Sequence, residues 1–303
     1  MSAPARAVSS AAVTPRDTSP VQPPSEQWSD LDRPPLDAAV LRRALKAGEP
    51  GSWWQQVTVI ESTDSTNADL AAAARSGTAA APAGAAAASV LVAEHQRAGR
   101  GRLGRGWQAP ARSALTLSVL VHPRMPAAHW PWLPLLTGVA VAEAVRRTAA
   151  VDATLKWPND VLVGDRKLAG ILLERVQTPT GPAAVLGIGL NVSARRSELP
   201  VPAATSLALA GAATTDRHTI LVSLLRTIQA LWSAWEEDPG GLHASYLRRC
   251  STIGQQVRVE LPDGSAVTGL AETVDADGRL VVAGASGRHV LAVGDVVHVR
   301  AAQ

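Results

Sequence analysis

Apolar residues recur along the chain at one of two periods, near 3.6 or 2, and the switches between them mark the elements. Residues 1–35 are rich in Ala, Pro and Ser without an apolar period, which predicts a disordered tail. LDAAVLRRAL (36–45) has helical spacing, and VTVIE (57–61) reads as a strand. STNADLAAAARSG (65–77) opens on an N-capping residue and closes on Gly, the punctuation of a helix. The Gly/Ala-rich stretch 77–88 reads as a flexible loop. SVLVAE (89–94) and ALTLSVLV (114–121) read as strands, and 131–147 as a helix with an apolar stripe. Strands are expected at 152–157, 167–174 and 184–191, joined by short connections. Two more helices are expected at 217–238 and 241–250.

After Ile253 the pattern changes to five short strands separated by PDG, DADG, ASG and GD turn signals, a small β-barrel. The expected organisation is therefore a tail (1–35), a body (36–250) and a C-terminal domain (251–303). The body should be α+β, a mixed β-sheet with helices on one side. A chain of 303 residues, 46% apolar, suffices for one large domain and a small one. No apolar run reaches the roughly 18 residues of a membrane span, and nothing near the N-terminus resembles a secretion signal. The single cysteine, Cys250, excludes an internal disulfide and a cysteine-rich metal site. These features predict a cytoplasmic protein without a membrane partner. A net charge of +3 permits nucleic acid without demanding it.

Candidate chemistry begins at EHQRAGRGRLGRGWQAP (94–110), with Arg97, Arg100, Arg102 and Arg105 set among glycines. Gly99, Gly101 and Gly104 spell G-x-G-x-x-G. The dinucleotide fingerprint requires a helix after that motif and an acid about 20 residues on. Here a strand follows, and no acid occurs from His95 to Ala142. A Walker loop is absent. An RNA-binding Arg-Gly segment and a solvated basic loop remain open on this stretch alone.

Composition narrows the choice. Lysine occurs at only three positions, 46, 156 and 167, and the other 26 basic residues are Arg. Asparagine occurs only at 67, 159 and 191, each at a strand end or turn among small residues. Where Arg replaces Lys nearly everywhere, a retained Lys points to a need for a compact point charge.

DSTN (64–67), EHQRAGRGRLGRGW (94–107), KWPND (156–160), KLAGILLE (167–174) and GIGLN (187–191), in this order, resemble the biotin protein ligases. The resemblance extends from about residue 55 into the C-terminal segment. It implies a catalytic domain like that of class II aminoacyl-tRNA synthetases and an SH3-like C-terminal barrel. It also implies activation of biotin by ATP, with Mg²⁺, to biotinyl-5′-AMP, and transfer to one lysine of a biotin carboxyl carrier domain of acyl-CoA carboxylases.

The resemblance places Ser65, Thr66 and Asn67, with Gln96, at the ureido ring of biotin. Gly99, Arg100, Gly101 and Arg102 belong to a loop that orders over biotin and the adenylate. Lys167 would hold the carboxylate and then the acyl phosphate. Gly187 and Gly189 would let a strand pass close to the bicyclic ring. Trp107 would stack on adenine. Arg100, Arg102, Arg105, Lys156, Asn159 and Asn191 would complete the nucleotide site, with Asn159 or Asp160 toward Mg²⁺. The catalytic set is Lys167, Arg102 and Asp160, the last orienting or deprotonating the acceptor amine. The loop departs from many relatives at Leu103, where Arg is common, and at His95. Lipoate–protein ligases are the related alternative. No recognition helix pair precedes the first motif, so no nucleic-acid partner is expected. A homodimer is compatible with the sequence.

Overall fold

The computed structural model describes residues 32–79 and 87–298, together with Met1. The tail reading for residues 2–31 and the loop reading for 80–86 fall outside the described residues.

The body is built on seven strands. These are β1 (Trp54–Thr63), β2 (Ala88–Gln96), β5 (Ala114–Val121), β6 (Thr154–Lys156), β7 (Asp160–Val163), β8 (Arg166–Thr178) and β9 (Gly181–Asn191). A two-stranded hairpin, β3 (Gly99–Arg100) and β4 (Gly106–Trp107), stands apart from the sheet. The sheet runs β1-β2-β5-β9-β8-β7-β6. Only β1 and β2 are parallel, joined by helix α2 (Thr66–Ser76); every other pairing is antiparallel, so the sheet is mixed.

Helices α1 (Ala38–Leu45), α3 (Trp132–Ala149), α4 (Arg217–Glu237) and α5 (Pro239–Leu247) pack on one face. There Leu115, Leu117, Val119, Leu186, Ile188 and Leu190 join a single core with Leu136, Val139, Leu221 and Leu225. The period-2 alternation of β5 and β9 sends the intervening residues to the other face. On that face Leu70, Ala71 and Ala74 of α2 pack against Leu120, Val176, Ala183 and Val185. The one-sided placement thus holds for four helices, while α2 covers part of the opposite face. Its Ser65 cap and Gly77 C-cap fall where the sequence places them.

Two expectations are refined. Residues 158–166 were read as a connection, but Asp160–Val163 forms β7, because Val161 and Leu162 supply buried positions that pair with β8. The tail was extended to residue 35, but Arg33 is buried. Its guanidinium meets Glu198 at 2.7 Å and the Ser193 carbonyl at 3.1 Å, so residues 33–36 belong to the packed body.

Glu94 lies in the basic-loop motif yet faces the helical core, in phase with Val90 and Val92. It is buried, accepts from the Leu36 amide at 2.5 Å and pairs with buried Arg217 at 2.5 Å. It therefore ties the N-terminal segment to α4 and does not serve the cavity.

The C-terminal unit is a five-stranded antiparallel sheet ordered β13-β12-β11-β10-β14. Its strands are β10 (Gln256–Glu260), β11 (Ala266–Val274), β12 (Leu280–Gly284), β13 (Gly287–Leu291) and β14 (Asp295–His298). Two buried tryptophans fix it to the body through one turn: Trp132 Nε1 donates to the Ala276 carbonyl at 2.7 Å and Trp157 Nε1 to the Gly278 carbonyl at 3.0 Å. Among the described residues no helix is long and apolar enough to cross a membrane.

Removing one partner of a buried, hydrogen-bonded ion pair strands the other charge, at a cost of about 3–5 kcal/mol. Glu94→Ala is therefore expected to destabilise the chain by about that amount, read as the loss of unfolding free energy in a urea titration; a change within about 0.5 kcal/mol, the surface-residue norm, would contradict the assignment.

Candidate active site

The face that α2 covers at one end is open at the other, and the pairing registers explain why. Gly170 of β8 lies opposite Gly189 of β9 and Asp160 of β7, and Gly189 lies opposite Thr116 of β5. In the next row Leu172, Gly187 and Ser118 are aligned. Gly170, Gly187 and Gly189 in these rows, with Leu172 and Asp160 beside them, line a cavity of about 480 Å³. That size suits a small organic ligand.

At the α2 end the wall is polar. Thr66 donates to Gln96 Oε1 from its backbone amide at 2.8 Å and from its hydroxyl at 2.9 Å. Ser118 Oγ donates to Asn67 Oδ1 at 2.5 Å and lies 2.8 Å from Thr66 Oγ1. Asn67 Nδ2 donates to Glu174 at 3.2 Å. Four neutral polar side chains thus converge at the start of a helix. Ser118, fully buried behind this wall, is a support that sequence reasoning missed; the available signal was a lone serine at an inward position of the apolar run ALTLSVLV.

At the opposite end the wall is cationic. Lys167 Nζ sits 2.7 Å from Asp160 Oδ1. Arg102 Nη1 donates to Asn159 Oδ1 at 3.0 Å, and Asn159 Nδ2 is fixed on the Ile171 carbonyl at 3.1 Å. Burial pulls the Arg102 guanidinium below its ordinary value, with Asp295 opposing. Lys156, opposite Asp160 in the β6–β7 pairing, is lowered first by burial; the charges of Lys167 and Arg105 lower it further, while Asp160 and Asp295 counteract.

The arginine-glycine stretch forms the β3–β4 hairpin over this cavity, with Gly99 opposite Trp107 and Arg100 opposite Gly106. A strand and not a helix follows the glycines, as the sequence indicates. A side chain at Gly99 would meet the Trp107 carbonyl at 2.4 Å, so the hairpin closes only with glycine there. Its tip turns through Leu103, 57% exposed and at φ 54°. This is a left-handed conformation, unusual for an apolar side chain.

Of the sequence-derived candidates, Ser65, Thr66, Asn67, Gln96, Arg100, Gly101, Arg102, Arg105, Trp107, Asn159, Asp160, Lys167, Gly187, Gly189 and Asn191 line the cavity. Gly99 and Lys156 stand just behind its wall. Three readings change. The clearance over Gly187 is taken by Asn67, 2.4 Å from where a Cβ would lie, and that over Gly189 by the Trp107 ring at 2.3 Å. The glycines thus seat protein side chains, because an indole and an amide lie flat against the strands where no Cβ intervenes. Asn191 donates to the Thr205 carbonyl at 2.9 Å, which holds the chain after β9. Finally, the loop's positive charge is not left uncompensated by the absence of acids within it: Asp295, far along the chain, meets Arg105 at 2.7 Å and Arg102 at 3.7 Å. Asp295 was missed because a GD pair between strands reads as a turn.

A mixed sheet with a glycine floor, a polar wall, a cationic wall and an overlying hairpin sets neutral hydrogen-bonding groups and cations at opposite ends of one cavity. Residues 60–191 match the biotin/lipoate A/B protein ligase family, and residues 252–299 match the biotin protein ligase C terminal domain. The chain is 46% identical over 275 residues to the biotin–[acetyl-CoA-carboxylase] ligase of Mycobacterium tuberculosis, covering 89% of this chain and 98% of that protein. It is 36% identical over 198 residues to the bifunctional ligase/repressor BirA of Escherichia coli, covering 63% of this chain and 60% of that protein. Among solved structures, a biotin protein ligase from Aquifex aeolicus in complex with biotin and ATP superposes with a TM-score of 0.68 at 26% identity, covering 82% of this chain and all of that one. The chain belongs to the biotin/lipoate A/B protein ligase family.

A Cβ at position 189 cannot coexist with the indole against it. Gly189→Ala is expected to push Trp107 off the sheet into water and shift the tryptophan emission to longer wavelength. The same substitution in a Trp107→Leu background should give no shift; an equal shift in both would place the effect elsewhere.

Proposed function

We propose that this chain is an ATP-dependent biotin–protein ligase. The observation that carries the reading is the pairing of walls across one glycine floor: neutral donors and acceptors from Thr66, Asn67 and Gln96 at one end, and Lys167, Arg102 and Arg105 at the other. A ureido ring needs the first, and a carboxylate approaching a triphosphate needs the second.

In the first step the biotin carboxylate oxygen attacks the α-phosphorus of ATP, and pyrophosphate leaves. Two unit anions at about 4 Å repel by roughly 4 kcal/mol at an effective dielectric near 20, which fixed cations must cancel. Lys167 would meet the carboxylate, and Arg102 and Arg105 the phosphates. Trp107 supplies an aromatic face for adenine. Among the described residues no three of His, Cys, Asp and Glu cluster to hold a metal. Mg²⁺ commonly rides on nucleotide phosphates with one or two carboxylates, and the Asp160 carboxylate with the neutral side-chain amide oxygen of Asn159 would hold it here. When bound, the ion would neutralise phosphate charge.

In the second step the amine of an acceptor lysine attacks the acyl carbon, AMP leaves, and the amine loses a proton. Free lysine is mostly protonated at pH 7. Once Lys167 turns to the acyl phosphate, Asp160 is released to accept that proton or orient the amine. The acceptor class is the biotin carboxyl carrier domain of acyl-CoA carboxylases, met in the cytoplasm.

The wild-type chain is expected to catalyse biotin-dependent ATP–pyrophosphate exchange, and Lys167→Ala to lower it by about 10²–10³-fold; exchange driven by lipoate in place of biotin would assign the chain to the other branch of the family. Asp160→Ala is expected to slow transfer from preformed biotinyl-AMP to a carrier domain by about 10²-fold or more at pH 7. A wild-type transfer rate in that variant would remove Asp160 from the second step.

A further inference from the structure

The acid that faces the arginine hairpin comes from the C-terminal sheet. Asp295 opens β14, where its backbone pairs with Glu260 of β10. Gly294 before it has φ 151°, and a Cβ there would strike Val259 Cγ1 at 2.5 Å. Only glycine lets that turn lie so close to β10, so the sheet fixes where the carboxylate stands. Asp295 Oδ2 takes Arg105 Nη2 at 2.7 Å, Oδ1 lies 3.7 Å from Arg102 Nη1, and the Gly294 carbonyl accepts from Arg102 at 3.3 Å. Two successive residues of one domain thus present three oxygens to two arginines of another segment, much as a phosphate group presents its own oxygens. Asp160, the other acid of the cluster, pairs with Lys167.

We propose that Asp295 is a positioning residue with two linked effects: it holds the tip of the 99–107 hairpin, and it competes with the phosphates of ATP for Arg102 and Arg105. The competitive part rests on the ligase reading above. The tether is weak by construction. Arg105 is 61% exposed, and exposed pairs contribute little, so phosphates can displace the carboxylate without a large penalty. Once displaced, Asp295 no longer anchors the tip, and the nucleotide takes over that task.

The test compares wild type, Asp295→Asn and Asp295→Glu. Without ligands, chymotrypsin should cut after exposed Leu103 faster in Asp295→Asn than in wild type, and Asp295→Glu should restore the slower rate. In biotin-dependent pyrophosphate exchange, Asp295→Asn should lower the KM for ATP by about threefold to tenfold with kcat changed less than about twofold, the range two partly exposed ion pairs can supply. Unchanged cleavage overturns the tether, and an unchanged or raised KM overturns the competition. Where Asp295→Asn does not fold, Arg105→Gln severs the shorter contact without touching the sheet and should raise cleavage after Leu103 in the same way; no rise overturns the tether. A wild-type chain without exchange activity refutes the ligase reading alone, since the ligand-free cleavage comparison still decides whether Asp295 holds the hairpin.

Discussion

Crowding of like charge governs the arrangement of this molecule. Lys156, Lys167, Arg102 and Arg105 meet at one end of the sheet, where Lys156 and Arg102 are half-buried. Such a cluster is unfavourable unless acids compensate it, and the two that do arrive from separate directions: Asp160 from the short strand β7, and Asp295 from the C-terminal sheet. Burial, with the charges of Lys167 and Arg105, holds the Lys156 ammonium below its ordinary value against the pull of Asp160 and Asp295. Much of the architecture can be read as what places those two acids. β7 exists to pair with β8, which sets Asp160 beside Lys167. The Trp132 and Trp157 hydrogen bonds dock the second sheet so that its β14 edge reaches the hairpin.

The opposite wall solves a different problem. Buried polar groups must be satisfied among themselves, and the α2 end manages this with a helix start, one glutamine and one serine. Gly187 is what allows it. Any side chain there would displace the Asn67 amide, and with it the contact to Ser118. The same face of the sheet is apolar under α2 and glycine-lined beyond it. One strand register therefore serves both packing and cavity, which is why helix and site lie side by side on the face away from the main core.

The sequence disclosed the parts that obey local rules. Period and punctuation located the five α-helices and most strands among the described residues, since capping by Ser65 and Gly77 and the alternation in 114–121 are properties of short segments. Scarcity exposed Lys167, Asn67 and Asn159 as candidates. Long-range geometry escaped. Glu94 sat inside the motif, but its parity aims it at Arg217. Asp295 lies in a turn-like pair far from the residues it touches, and only the docking of the two sheets brings it to Arg102. Ser118 was hidden by the apolar run around it. Gly189 was legible as a close-approach position, but not that Trp107 is what approaches.

The hairpin joins these two walls, and its own chemistry explains why it needs an external tether. Its pairing consists of two residues on each side, far short of an independently stable ribbon. Leu103 at its tip adopts a left-handed conformation that costs of order 1 kcal/mol and leaves more than half of its surface in water. Its position must therefore come from what its side chains touch. At the base, Trp107 lies against Gly189 and Gly170 on the sheet; at the tip, Arg102 and Arg105 reach Asn159 and Asp295. The base contact is apolar and insensitive to charge, whereas the tip contacts to Asp295 are ionic and interchangeable with any anion of suitable shape. A cover built in this way is fixed at one end and responsive at the other, so an anion entering the cavity changes the partner of the tip without dismantling the hairpin.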